Sequence, residues 1–121
     1  MQDWLTMTAA DLGRGIARGE IDAEALCETY LAAIAAHPDA DRIYARTTPE
    51  RARAEAAAAA KRARLGLRVG PLDGVPVSWK DLFDTAGVAT ETGSKLLEGR
   101  VPTQDAAVLC AASHAGTVCL G

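Results

Sequence analysis

Gly74-Val75-Pro76-Val77-Ser78-Trp79-Lys80, taken together with Asp105-Ala106-Ala107-Val108-Leu109-Cys110-Ala111-Ala112 and Thr117-Val118-Cys119-Leu120, decides the fold of this chain. In the first stretch Val75, Val77 and Trp79 alternate with Pro76, Ser78 and Lys80. That period of two sends the first trio to one face of a strand and Ser78 with Lys80 to the other. After Pro102 the helical period returns, with Asp105 expected as the cap and Gly116 as the stop. The last stretch is a short β-branched run expected as a second strand. Strand, crossover helix, strand predicts a parallel pair, because parallel neighbours need a long crossover. The fold class is therefore expected to be α/β, with helices covering the sheet. Gly70-Pro71, Asp73-Gly74, Ala86-Gly87 and Thr92-Gly93 punctuate the region around the first strand and exclude a long helix there.

Outward toward the N-terminus, the chain reads as helices up to Gly66. Thr8 is expected to cap the first, with Asp11 reaching back from its third position and Leu5, Leu12 and Ile16 as the apolar side. Gly19 stops it. The second starts at Asp22 and carries Ala23, Leu26, Cys27, Tyr30, Leu31 and Ile34 on one face, with Ile21 stapled to Leu26 and His37-Pro38 as the close. Arg42 to Arg46 reads as a short extended segment. Thr48-Pro49 then opens an Ala-rich third helix, with Thr48 as cap and Pro49 at the first helical position.

Composition narrows the function classes. The 121 residues are 49% hydrophobic and 24% charged, which excludes disorder and a disulfide scaffold. Thirteen basic against sixteen acidic side chains give a net charge of −3, a field that does not gather phosphates, so nucleic acid is not an expected partner. About a fifth of the chain is Ala and only 4% is aromatic. A core built from such small side chains is thin at about 25 cal/mol per Å² of buried area, so the chain is expected to be part of one domain. Cys27, Cys110 and Cys119 form an odd, widely spaced set that suits a reducing compartment. Met1-Gln2-Asp3-Trp4-Leu5-Thr6 lacks the features of a secretory leader, and no run approaches membrane-spanning length. A soluble cytoplasmic protein without membrane association is the expectation.

Phosphate-binding, dinucleotide and paired-Cys zinc motifs are absent. Cys110 and His114 lie four apart on the predicted last helix, but two ligands do not make a metal site; a buried thiol beside a surface imidazole is expected instead. His37 is expected to interact with terminal carbonyls of its helix. Asp81 and Asp84 are expected in solvated or capping roles rather than as paired carboxylates. Lys80, at the end of an apolar strand, either snorkels to water or is held inside for a purpose. To serve as a base it must be neutral, and bringing a lysine from its reference pKa of about 10.4 to about 7 costs on the order of 4.6 kcal/mol. Burial can supply that. Ser78 and Lys80 share a face, so a serine–lysine dyad stands beside an accidental strand pair.

Gly70 through Gly87, then Thr90, Gly93-Ser94, Asp105-Ala106-Ala107-Val108, Ala115-Gly116 and Leu120-Gly121, resemble the opening of the amidase signature family. That family includes general amide hydrolases, glutamyl-tRNA amidotransferase A subunits and fatty acid amide hydrolases. The resemblance implies amide hydrolysis by a nucleophilic Ser, a second Ser on a cis peptide bond and a Lys, and Lys80 matches the lysine. Neither Ser78 nor Ser94 matches a serine of the triad, since both family serines belong to a Gly-Ser-rich segment downstream. It implies no cofactor and no metal, a small-molecule amide substrate, and a homodimer in the full-length protein. Residues 1–121 are then the N-terminal fragment of a single amidase domain. Residues 1–66 form its helical region and 67–121 the start of the α/β core, an incomplete amidase signature fold with the first strands of a mixed sheet. Expressed alone, such a chain is expected to lack turnover and to leave apolar faces uncovered. The alternatives are a catalytically dead structural or interaction fragment, and an A subunit of a glutamyl-tRNA amidotransferase; Asp81-Leu82-Phe83-Asp84 departs from the Asp-Asn-Ile usual in the latter, while Ser94-Lys95-Leu96-Leu97 leans toward it.

Overall fold

The computed structural model describes residues 3–121; Met1 and Gln2, which begin the stretch searched for a leader, lie outside them. A 3-10 turn at Trp4–Thr6 precedes α1 (Ala9–Ala17), α2 (Ala23–Ala36), α3 (Ala40–Ile43) and α4 (Pro49–Arg64). Then come β1 (Pro76–Val77), a second 3-10 turn at Lys95–Leu97, α5 (Ala107–His114) and β2 (Val118–Cys119). The caps of the first two helices follow from local chemistry. Thr8 Oγ1 accepts the Asp11 N–H at 3.1 Å and donates to the Asp11 carboxylate at 2.8 Å, and the Asp22 carboxylate accepts the Ala25 N–H at 2.8 Å. Among the described residues, no helix is long and apolar enough to cross a membrane.

Three local expectations are corrected. Leu5 does not join the apolar side of α1: it sits in the 3-10 turn at 46% exposure, while Trp4 and Met7 pack on the core. Arg42 to Arg46 is not extended throughout, because Tyr44 N–H reaches the Ala40 carbonyl at 2.8 Å and closes one helical turn as α3. The chain becomes extended only from Tyr44 onward. His37 meets an amide rather than carbonyls, its Nδ1 accepting the Asp39 N–H at 3.1 Å.

The core is a helix sandwich built from small residues. α4 packs along α2 and over β2 through Ala52, Ala56, Ala59 and Ala60, all buried at its inner face. Small side chains let helices approach closely, which explains how so Ala-rich a chain fills its interior. Leu12, Ile16, Ile21, Leu26 and Val75 fill one cluster, and Cys27, Leu31, Val118 and Leu120 the next, with Tyr30 packed against both. Ile21 and Leu26 share the first cluster, as the staple requires. α1 presses its glycine face onto the loop before β1: a Cβ on Gly13 would lie 1.9 Å from the Pro71 carbonyl oxygen. A backbone group cannot rotate away, so Gly13→Ala is expected to destabilise the protein by about 1–3 kcal/mol despite Ala being the better helix former. Urea denaturation at neutral pH reads this directly; an unchanged midpoint would mean that α1 slides freely on the loop.

β1 and β2 pair in parallel with Pro76 opposite Val118 and Val77 opposite Cys119, so the strand–helix–strand reading holds. Backbone pairing extends past the regular residues, from Gly74 N–H to the Gly116 carbonyl (2.8 Å) up to Trp79 N–H to the Gly121 carbonyl (2.7 Å). Val75 is buried, Val77 and Trp79 are half-buried, and Ser78 and Lys80 face outward.

Two expected caps are diverted to tertiary partners. Thr48 makes no cap bond: its hydroxyl donates to the Cys119 carbonyl at 3.0 Å and its N–H to the Leu120 carbonyl at 2.8 Å, which joins the start of α4 to the end of β2. Asp105 does not cap α5, whose N-cap is Ala106. Instead the Asp105 carboxylate takes a bidentate pair from Arg51 at 2.9 and 2.9 Å and the Ala86 N–H at 2.8 Å. Arg51 holds the Asp105 carboxyl below its usual range, outweighing the opposing push of burial, with the Ala86 amide helping. A carboxyl depressed in the folded state stabilises above its unfolded pKa and loses that contribution as pH falls through the folded one. Stability is thus expected to fall as pH drops from about 4, and Asp105→Asn to be less stable at pH 7 with a shallower acid limb. Denaturation midpoints across pH 2 to 7 check both; an unchanged limb would assign it to other carboxylates.

Candidate active site

Parallel sheets present ligands at the carboxyl ends of their strands. Here those ends are Ser78-Trp79-Lys80 after β1 and Leu120-Gly121 after β2, and they border an open cleft of about 530 Å³. The segment Tyr44–Arg46 forms one wall and Phe83, Val88 and Ala89 line another. Gly121 fits beneath the first wall because it has no side chain: a Cβ there would lie 2.6 Å from the Arg46 carbonyl. Trp79 and Phe83 meet edge to face, ring centroids 5.6 Å apart at 72°, which adds a rigid apolar flank.

Arg46 organises the cleft. Its guanidinium donates to Asp81 Oδ1 at 2.8 Å, to the Ala89 carbonyl at 2.5 Å and to Glu91 Oε1 at 2.7 Å. Asp81 Oδ1 also accepts the Glu91 N–H at 3.2 Å, and its carbonyl accepts the Thr92 N–H at 2.8 Å. Thr92 has φ 58°, a left-handed conformation that β-branched residues avoid, and this hydrogen bond helps to hold it there. Glu91 Oε2 accepts the Gly99 N–H at 2.5 Å.

Lys80 lies on the lip of this cleft and is exposed, so the interior, dry placement weighed from sequence is not what the chain adopts. Among the described residues its amine has no carboxylate within ion-pair distance. The serine–lysine dyad is also not formed: Ser78 Oγ is 2.5 Å from Tyr44 OH. Asp81 and Asp84 are neither paired with each other nor free. Asp81 belongs to Arg46, and Asp84 takes a bidentate pair from Arg100 at 2.7 and 2.8 Å, which holds its carboxyl below the usual range. Ser94 caps the second 3-10 turn through the Leu96 N–H. Cys110 is exposed rather than buried, because α5 buries only Leu109; no group of three metal-ligating side chains occurs among the described residues. Arg46 escaped sequence reasoning because its partners lie 35 and 45 residues away; the one available signal was a charged residue between Tyr44 and Thr48 in a wall segment.

Comparison with known proteins gives a consistent result. The family model described as Amidase matches residues 25–121. The A subunit of glutamyl-tRNA(Gln) amidotransferase from Streptomyces coelicolor is 39% identical over 121 residues, 100% of this chain and 24% of that protein. A solved chain described as part of a vestigial protein complex that reveals the evolutionary origins of an s-triazine catabolic enzyme matches with TM-score 0.89 and 38% identity, over 95% of this chain and 25% of that one. Native peptide amidase from Stenotrophomonas maltophilia matches with TM-score 0.87 and 35% identity, over 98% of this chain and 24% of that one. The chain therefore spans about a quarter of the length of the relatives it matches.

Proposed function

The chain belongs to the amidase family, and from that premise we propose that the protein carrying it hydrolyses a carboxylic amide to the acid and ammonia or an amine, with Lys80 as the base. One observation carries the reading: a lysine without an ion-pair partner among the described residues stands at the carboxyl end of a parallel strand, on the lip of a cleft, while Asp81, Asp84 and Glu91 are taken by arginines. Such an amine is free to exchange protons, provided that the polypeptide closing the cleft keeps it uncharged. Lys80 then accepts the proton of a bridging serine, which deprotonates a second serine as that oxygen attacks the amide carbonyl. Backbone N–H groups beside the nucleophile stabilise the oxyanion. The leaving nitrogen takes a proton as the C–N bond breaks, and water releases the acid from the acyl-serine. Both serines come from the family's downstream Gly-Ser segment.

On this reading residues 1–121 are the opening of a single amidase domain, helical to residue 66 and α/β from 67, in a cytoplasmic protein that works without cofactor as a homodimer. The test uses the complete protein with propionamide, benzamide and L-glutamine as probes, and a fluorophosphonate as a serine-directed label. Ammonia release blocked by stoichiometric labelling is expected; neither release nor labelling overturns the hydrolase and favours a catalytically dead module. The identity to amidotransferase A subunits favours a second reading. Ammonia release from glutamine alone, dependent on a tightly associated partner, would select it.

A further inference from the structure

We infer that Arg46 is a positioning residue for Lys80: by gripping Asp81, Ala89 and Glu91 together, one guanidinium fixes the backbone from which the lysine projects. The inference rests on Lys80 being the base, as proposed above, and goes beyond it by naming what aims that base.

Among the described residues the Lys80 amine has no side-chain partner, so within this stretch what aims it is the backbone that carries it. That backbone is fixed on one side by the last sheet bond, Trp79 N–H to the Gly121 carbonyl at 2.7 Å. Beyond Lys80 the sheet gives no further support, and the Lys80 carbonyl is held by the turn that follows, accepting the Leu82 N–H at 2.7 Å and the Phe83 N–H at 3.1 Å. The next residue, Asp81, is instead tied by its Oδ1 to Arg46 and to the Glu91 N–H, and by its carbonyl to the Thr92 N–H. The same guanidinium holds the Ala89 carbonyl and Glu91 Oε1, so the acceptor loop and Asp81 are locked through one side chain. Arg46 is itself anchored, since Thr48, two residues on, bonds the end of β2. All three charged groups are about three-quarters shielded from water, where an ion-pair network holds geometry better than a surface pair does. Without Arg46, Asp81 keeps the Glu91 amide on its carboxylate and the Thr92 amide on its carbonyl, but the Ala89 carbonyl, Glu91 Oε1 and Asp81 Oδ1 lose the one donor they share. A displacement of the order of 1 Å at a proton-transfer group suffices to slow a reaction by about 100-fold.

The experiment compares Arg46→Met, Arg46→Lys and Lys80→Ala in the complete protein, reading kcat and KM for whichever of the three amide probes is turned over, fluorophosphonate labelling rate and thermal midpoint. Arg46→Met is expected to lower kcat and labelling rate together by about 10- to 100-fold with KM nearly unchanged. Arg46→Lys keeps one ion pair but not the fork, and is expected to recover part of the loss. Where Arg46→Met does not fold, Asp81→Ala removes the acceptor that Arg46 grips and so cuts the same link from the other side, and is expected to show the same kcat-selective loss. Unchanged kcat in a folded variant, or a loss that appears only in KM or only in step with the thermal midpoint, overturns the inference. If Lys80→Ala retains activity, the underlying reading fails instead, and the two failures are told apart.

Discussion

Lys80→Ala in the complete protein is expected to lower kcat for amide hydrolysis by about 10²- to 10⁴-fold, the span over which a positioned acid–base group contributes. In residues 1–121 taken alone, the same substitution is expected to leave the thermal midpoint where it was. Lys80 is exposed and its amine makes no hydrogen bond or ion pair among the described residues, and surface changes of that kind stay within about 0.5 kcal/mol. The pairing of a large kinetic loss with no stability loss separates a chemical role from a structural one. Lys80→Arg makes the point sharper. An arginine preserves the positive charge and the length but cannot surrender its proton near neutral pH, so it should be as inactive as alanine. If the arginine variant retains activity, Lys80 acts as a fixed cation and not as a base. If the alanine variant retains activity to within about twofold, the proton relay starts elsewhere.

Helices α1, α2, α4 and α5, the parallel pair and the strand face of Lys80 were legible because each is written in local pattern. Thr8 with Asp11, Asp22 with Ala25, and the Val75–Val77–Trp79 alternation are short-range signals, and the chain obeys them. At two expected helix caps, expectation and structure part because a polar side chain was claimed by a distant partner. Thr48 had a cap to make and took a carbonyl 71 residues away; Asp105 had another and took Arg51, 54 residues back. Both trades exchange a locally available hydrogen bond for one that ties two elements together, and the second is charge-assisted and so the stronger. The cleft shows the same division. Its floor, the strand ends, followed from periodicity, whereas its frame, the Arg46 grip, consists of contacts between segments that no spacing rule relates. Lys80 is the remaining case: strand alternation placed it outward, and the dry environment that its proposed chemistry needs is not supplied by the residues around it.

Asp73→Ala is expected to cost about 3–5 kcal/mol of unfolding free energy at pH 7, the range for removing one partner of a buried ion pair. A domain of this size is stable by roughly 5–15 kcal/mol, so the loss is a large share. The Asp73 side chain is fully buried, yet all its bonds are made: Arg62 donates at 2.7 and 2.9 Å, and the Val69 N–H at 2.9 Å. Arg68 adds a bond to its carbonyl at 3.0 Å. One carboxylate thus joins the end of α4 to the loop that leads into β1. The strand pair closes over it, since a Cβ on Gly116 would lie 2.4 Å from Asp73 Oδ1. Burial pushes this carboxyl up, but the Arg62 hydrogen bonds, the Val69 amide and the nearby positive charges prevail and leave it below its ordinary value. Its stabilisation is therefore present above the unfolded pKa, near 4, and is lost as pH falls through the folded value. The consequence is a pH-dependent gap: wild type and Asp73→Ala should differ fully at pH 7 and converge as the acid limb is descended. Asp73→Asn, which keeps the shape but turns an amide N–H toward Arg62, should fall near the alanine variant at pH 7. Urea denaturation of the three proteins at pH 7 and pH 3 measures the gap. A difference that is the same at both values would trace the loss to the cavity left behind, and the charge would then contribute nothing to holding α4 against the sheet.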